Sequence, residues 1–205
     1  MSQEWEEQDN QSDYPSWNWK EGDWNRFLLL TEAQIKRFVA LYNSMLDNPN
    51  RLDAVAERMG WTTESWPVGE TEEASAEPPP AEEIPYTLHL HPVYTVTRGI
   101  FRSLYELSMA YAKLAGNNGY LQMLLLGALH EAETQAILGI ESQDMGDMTL
   151  TVCHFKRSLS QLNYSLSLLN RMREHRMEGI ELFAKEAIRR IFDLREVWLR
   201  VNAEV

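Results

Sequence analysis

Four long stretches in the C-terminal part of the chain repeat apolar residues at steps of three and four. From Pro92 to about Leu114 the stripe is Val93, Val96, Ile100, Leu104, Leu107, Tyr111 and Leu114. From about Tyr120 to Ile140 the pattern is apolar on more than one face in its first half (Leu121, Met123, Leu124, Leu125, Leu126, Leu129), which predicts the most buried helix of the set. The third stretch begins near Asp147, a residue type suited to cap a helix N-terminus, and carries Val152, Phe155, Leu159, Leu162, Leu166 and Leu169. The fourth carries Ile180, Ala184, Ala187, Ile191, Leu194, Trp198 and Val201 in alternating steps of four and three. That alternation averages about 3.5 residues, slightly under a straight α-helix, so such helices wrap left-handedly and cross at about 20°. The connections are short, with Gly116 where a C-cap glycine belongs and Asn117-Asn118-Gly119 as a turn, and they force neighbours antiparallel. The pattern predicts an all-α protein in which residues 86–205 form an antiparallel up-down four-helix bundle.

Upstream, residues 27–67 read as a small helical hairpin. Thr31 and Gln34 have capping-box spacing, and Ile35, Phe38, Val39, Tyr42 and Leu46 follow on one stripe. Asn48-Pro49-Asn50 ends that helix, and a second runs from Leu52 to Met59 before Gly60. Residues 1–26 show neither a helical nor an alternating period and are expected to be a flexible arm, yet they carry Trp5, Trp17, Trp19 and Trp24. Trp61 and Trp66 follow that second helix within the same segment. Residues 68–85, with Pro78-Pro79-Pro80, read as an extended linker.

Charge sharpens this division. The 205 residues carry a net charge of −12, but none of it belongs to the helical parts. Residues 1–24 hold seven acids against Lys20, and residues 68–85 hold six acids and no base. Residues 25–67 and 86–205 each balance. A neutral bundle flanked by acidic segments offers nucleic acid no basic footprint. The lone Cys153 excludes an internal disulfide and fits a reducing compartment. The longest apolar run, Leu121 to Leu129, falls far short of the roughly 20 residues of a membrane span. No basic-then-apolar N-terminal stretch suggests a signal peptide, so the expectation is a soluble cytoplasmic protein away from membranes.

Candidate chemistry is sparse. A dinuclear metal site in a ferritin-like bundle draws Glu-x-x-His from two helices. This chain has no Glu-x-x-His, only His130-Glu131-Ala132-Glu133, Glu106 and His154 on separate helices. A metal-dependent bundle enzyme therefore ranks behind the other functional alternatives, and no cofactor is expected. His89-Leu90-His91 would set two imidazoles on one side of an extended segment, too few ligands for a structural zinc site. The run Cys153-His154-Phe155-Lys156-Arg157-Ser158 resembles the motif of histidine phosphotransfer domains. The resemblance covers about six residues and implies His154 as phosphoryl acceptor with Arg157 as its cation. It departs from the family in carrying Arg157 at the lysine position and Ser158 at the glycine position, with Lys156 one residue early. Leu52–Ser65 is similar in cadence to the first half of a helix-turn-helix, but Pro67 arrives where a recognition helix should begin. No phosphate-cradling glycine loop or activated nucleophile is present.

Binding has the better footing. The indoles of Trp5, Trp17, Trp19, Trp24, Trp61 and Trp66 are typical interface anchors, and the surrounding acids steer toward a partner with a basic or apolar groove. The basic end of the third bundle helix (Arg171, Arg173, Arg176) is a second candidate, as a docking point for the acidic segments. The expectation is a non-catalytic adaptor or accessory subunit, with the bundle as scaffold and as an oligomerisation surface.

Overall fold

The computed structural model describes residues 19–61, 87–115, 119–176 and 179–203, and every described element is helical. Six α-helices run in order: α1 (Glu21–Ser44), α2 (Arg51–Met59), α3 (Pro92–Ala115), α4 (Gly119–Asp144), α5 (Met148–Glu174) and α6 (Ile180–Ala203). A 3-10 turn, Leu88–Leu90, leads into α3. Trp5, Trp17, Trp66, the expected linker 68–85 and the Gly116-Asn117-Asn118 turn lie outside the described residues.

The bundle closes as a ring in which α3 packs on α4 and α6, and α5 packs on the same two helices. Side-chain cross-links show each neighbouring pair to be antiparallel. Gln122 reaches the Ser108 carbonyl, Ser158 donates to the Ala132 carbonyl, Arg173 pairs with Glu181, and Trp198 meets Thr97. On α6 the whole expected stripe is buried, from Ile180 to Val201. Asp147 caps α5, its Oδ1 accepting the Leu150 N–H at 3.0 Å, and Gly60 ends α2 at φ 86°, a conformation only glycine adopts without strain.

The α5 seam differs from its expected composition. Phe155, Leu162 and Leu169 are buried as expected, but the alternate column is Thr151, Ser158 and Ser165, continued by Met172. Val152, Leu159 and Leu166 are only half-buried. The reason is closeness to α4, which contributes Ala128, Ala132, Ala136 and Gly139 to the contact. A Cβ on Gly139 would sit 3.2 Å from the Phe155 ring. Small residues on both helices let the backbones approach, so the hydroxyls are buried and turn inward to carbonyls, as Ser158 and Ser165 do.

Two further expectations are corrected. Helix α4 is not the most buried: Met123 is largely exposed and Leu124 and Leu126 are half-buried. That place belongs to α3, where Val93 through Thr97, Ile100, Phe101, Ser103 and Leu104 are all buried. The cause is α1, which lies across the face of α3 that the bundle leaves open. Helix α1 also begins at Glu21 rather than Thr31. Asp23 accepts the Lys20 N–H at 3.0 Å, and the Thr31 hydroxyl donates to the Phe27 carbonyl one turn back. The last residues of the expected arm are thus the first turn of a helix.

Gly99 is the crossing point, since any Cβ there would overlap the Phe38 ring. Gly127 on α4 has open space in the same position. Gly99→Ala is expected to lower stability by about 1–3 kcal/mol through overpacking. Gly127→Ala should instead stabilise by up to about 1 kcal/mol through helix propensity. Denaturant melts of the two variants beside the parent check both signs.

Candidate partner-binding site

The buried stripe of α1 is Phe27, Thr31, Ile35, Phe38, Val39 and Tyr42. At 100° per residue, Leu28, Leu29 and Leu30 point to the other sides of the same turn. Their exposures are 47%, 62% and 60%. This turn is therefore apolar right around its circumference, a composition that belongs to covered helices rather than to solvated ones. Around it the aromatic rings gather. Trp19 and Trp24 meet edge-to-face at 5.0 Å, and each packs on Phe27, at 5.7 Å and 6.1 Å. Phe27 in turn abuts His89, whose ring lies 5.0 Å from Tyr94. Both indoles remain half-buried, so each joins a local cluster and still presents surface.

This end of α1 is held by polar clasps farther along the hairpin. The Asp193 carboxylate of α6, 2% exposed, takes a two-pronged contact from Arg51 (Nε to Oδ2, 2.7 Å) and the hydroxyl of Tyr42. Burial and the neighbouring Asp193 carboxylate push the Tyr42 phenol well above its usual range. Removing one member of such a buried pair typically costs about 3–5 kcal/mol, because the other is left charged and dry. Arg190 donates to Ser103 at 2.8 Å and reaches Asn43, tying α6, α3 and α1 together. Arg200 pairs with Asp53 of α2, and Arg102 of α3 with Glu32 of α1. The hydrogen bond from Arg102 holds the Glu32 carboxyl below its usual range. Where α3 meets α4, Glu133 is buried between Arg98 and the Tyr105 hydroxyl.

His89 and His91 go to different places, contrary to their expected common side. His89 joins the aromatic cluster, while His91, 4% exposed, is the N-cap of α3. Its Nδ1 accepts the Val93 N–H at 3.1 Å, with Pro92 in the first helical position. Its Nε2 stands 3.8 Å from Asp144.

The other sequence-derived candidates are dispersed. Trp61 is half-buried and stacks on Phe38 at 6.3 Å, helping to seat the hairpin. Arg171 and Arg176 are exposed, and Arg173 pairs with Glu181 at 2.8 Å. His154 is half-buried, its Nδ1 2.8 Å from the Gln135 Oε1, and the Gln135 amide donates to Glu131. Arg157 is exposed one turn on, while Ser158 is buried. His130 is exposed. Among the described residues no group of three or more His, Cys, Asp or Glu side chains is placed to hold a metal ion, and no helix is long and apolar enough to cross a membrane. Sequence reasoning missed Leu28, Leu29, Leu30 and His89 as members of the patch. Trp24, Phe27, Thr31 and Ile35 already continue the α1 stripe backward at helical steps, a signal the apparent capping box at Thr31 masked. Compared with protein-family models, with curated proteins and with solved structures, the chain matches none.

Burial holds the His91 imidazole below its ordinary value of 6.5, with Asp144 opposing the shift. As pH falls below that value the unfolded chain binds the proton first, so stability is lost on the acid side and is full above it. His91→Asn keeps a capping acceptor without a titrating group. Parent minus variant stability, from melts at pH 7.5 and 5.5, should therefore fall as the pH is lowered. A constant difference would show that the His91 cap does not titrate in this range.

Proposed function

We propose that the protein is a non-catalytic cytoplasmic adaptor or accessory subunit that grips a partner protein with the N-terminal end of α1, the bundle serving as its rigid scaffold. The observation that carries this reading is the turn Leu28–Leu30, apolar on every side and continuous with the half-buried Trp19 and Trp24. Indoles are typical interface anchors, and the leucines beside them, presented from a fixed helix, lose little entropy on binding. The seven acids of residues 1–24, opposed only by Lys20, lie beside this patch in sequence and favour a partner whose apolar groove has a basic rim. Catalysis lacks a comparable footing, since the buried carboxylates Asp193 and Glu133 are consumed by arginine and tyrosine partners that knit helices together.

A photo-cross-linking residue at position 29 should yield one discrete adduct in cells, and the same residue at exposed position 156 on α5 should not. Leu29→Glu/Leu30→Glu should leave the melting curve unchanged and weaken partner recovery at least about tenfold, the scale of a hot-spot loss. An undiminished partner yield with this double variant contradicts the reading.

One observation favours a second reading, a phosphorelay through His154. Nδ1–H donation to Gln135 would fix the tautomer and leave Nε2 as the nucleophilic nitrogen. Acid-labile phosphate on the parent chain and none on His154→Ala would support it. Absence of label from both, with any aspartyl-phosphate donor, dismisses it.

A further inference from the structure

The outer face of α6 carries a second apolar surface, remote in sequence from the α1 patch and independent of its role. Phe192 and Leu199 are 52% and 55% exposed and lie seven residues apart. With Arg195, and with Ile188 at the edge where the stripe meets the core, they follow one another at steps of four, three and four beside the core stripe of Ile191, Leu194 and Trp198. Phe192, Arg195, Glu196, Leu199 and Arg200 line an open groove of about 540 Å³. The Arg195 guanidinium lies 5.6 Å from the Phe192 ring centre and donates to Asn163 of α5, while Glu196 is held by Arg200.

We propose that this face joins two copies of the chain, with the α6 helices parallel about a two-fold axis that runs along them. Residues seven apart occupy one seam position, so the parallel arrangement sets Phe192 on the second copy's Phe192 and Leu199 on its Leu199. The charges select the orientation. Arg195 and Glu196 are adjacent in sequence and flank the Phe192–Leu199 line on opposite sides at nearly one level. A two-fold axis along the helices then places Arg195 of each copy against Glu196 of the other, twice. An antiparallel pairing would oppose Arg195 to Arg195 and Glu196 to Glu196, a like-charge arrangement that disfavours it. The helix as a whole does not repel itself, carrying five basic residues (Lys185, Arg189, Arg190, Arg195, Arg200) against four acidic ones (Glu181, Glu186, Asp193, Glu196). Lys185, one heptad before Phe192, would meet its own copy and so ends the seam on that side. A contact this short sits at the small end of specific interfaces, which sets the expected dissociation constant on the order of micromolar.

Sedimentation equilibrium of the full chain in a Cys153→Ser background, at concentrations up to about 100 µM, should show twice the 23.8 kDa chain mass. Leu199→Glu and Arg195→Glu, both at positions outside the core, should each weaken the dimer at least tenfold. The charge-swapped Arg195→Glu/Glu196→Arg should recover it, which a merely structural effect of Arg195 would not produce. Phe192→Cys alone should form a self-disulfide under mild oxidation. A disulfide formed only between Phe192→Cys and Leu199→Cys chains overturns the parallel arrangement. A monomer at the highest concentration, or a dimer indifferent to Leu199→Glu and Arg195→Glu, overturns the proposal.

Discussion

The crossing of α1 over α3 is the constraint on which the N-terminal half of the molecule rests. Gly99 leaves a gap in the surface of α3, and the Phe38 ring fills it. From that point the contact spreads to Tyr42 and Phe101, and through Trp61 and Met59 to α2, so that hairpin and bundle share one continuous apolar core. Each large side chain buried there contributes roughly 1.5–3 kcal/mol. The buried Asp193, Arg190 and Ser103 contacts then select one orientation of the hairpin, because any other would strand a charge away from water. Apolar burial holds the hairpin on; the clasps decide how it lies.

This arrangement explains why the leucine turn is displayed rather than buried. Helix α1 is long because its C-terminal half packs on α3 and reaches α6 through Tyr42 and Asn43, while among the described residues its first two turns join the aromatic cluster of Trp19 and His89. Fixing one half of a helix fixes the other. Leu28, Leu29 and Leu30 are therefore carried outward at a set position, whereas the same residues on a loose arm would have to be ordered at the moment of binding. The seven acids within residues 1–24 share a segment with this turn, while the bundle as a whole is neutral.

Legibility in the sequence followed the size of the buried side chains. All seven expected α6 seam residues are buried, because apolar side chains recur there at steps of four and three, while Phe183, Arg190, Asp193 and Val197, buried beside them, were not foreseen. The α5 seam was readable only in its large column; Thr151, Ser158 and Ser165 are buried because α4 comes close, a fact about backbone distance that hydropathy does not encode. The burial of α3 on an extra face needed knowledge of where α1 lies, and Gly99 looked like any helical glycine. The clasps at Asp193, Arg190 and Glu133 join residues from 28 to 151 positions apart, beyond the reach of local pattern. The aromatic patch was half legible: the tryptophans stood out, while the leucines beside them fell in the hairpin segment but ahead of its expected first helix, because Thr31 imitated a helix start.

The central claim is that α1 is a structural part of the bundle and not an appendage to it. Native-state amide hydrogen exchange tests it directly, since it measures the opening free energy of each helix within the intact chain. The amides of Ile35 to Asn43 in α1 should open together with those of Ile100 to Leu104 in α3, at the free energy of global unfolding. Exchange of the α1 amides at a distinctly lower free energy, with α3 still protected, would mean that the hairpin detaches on its own and would contradict the account.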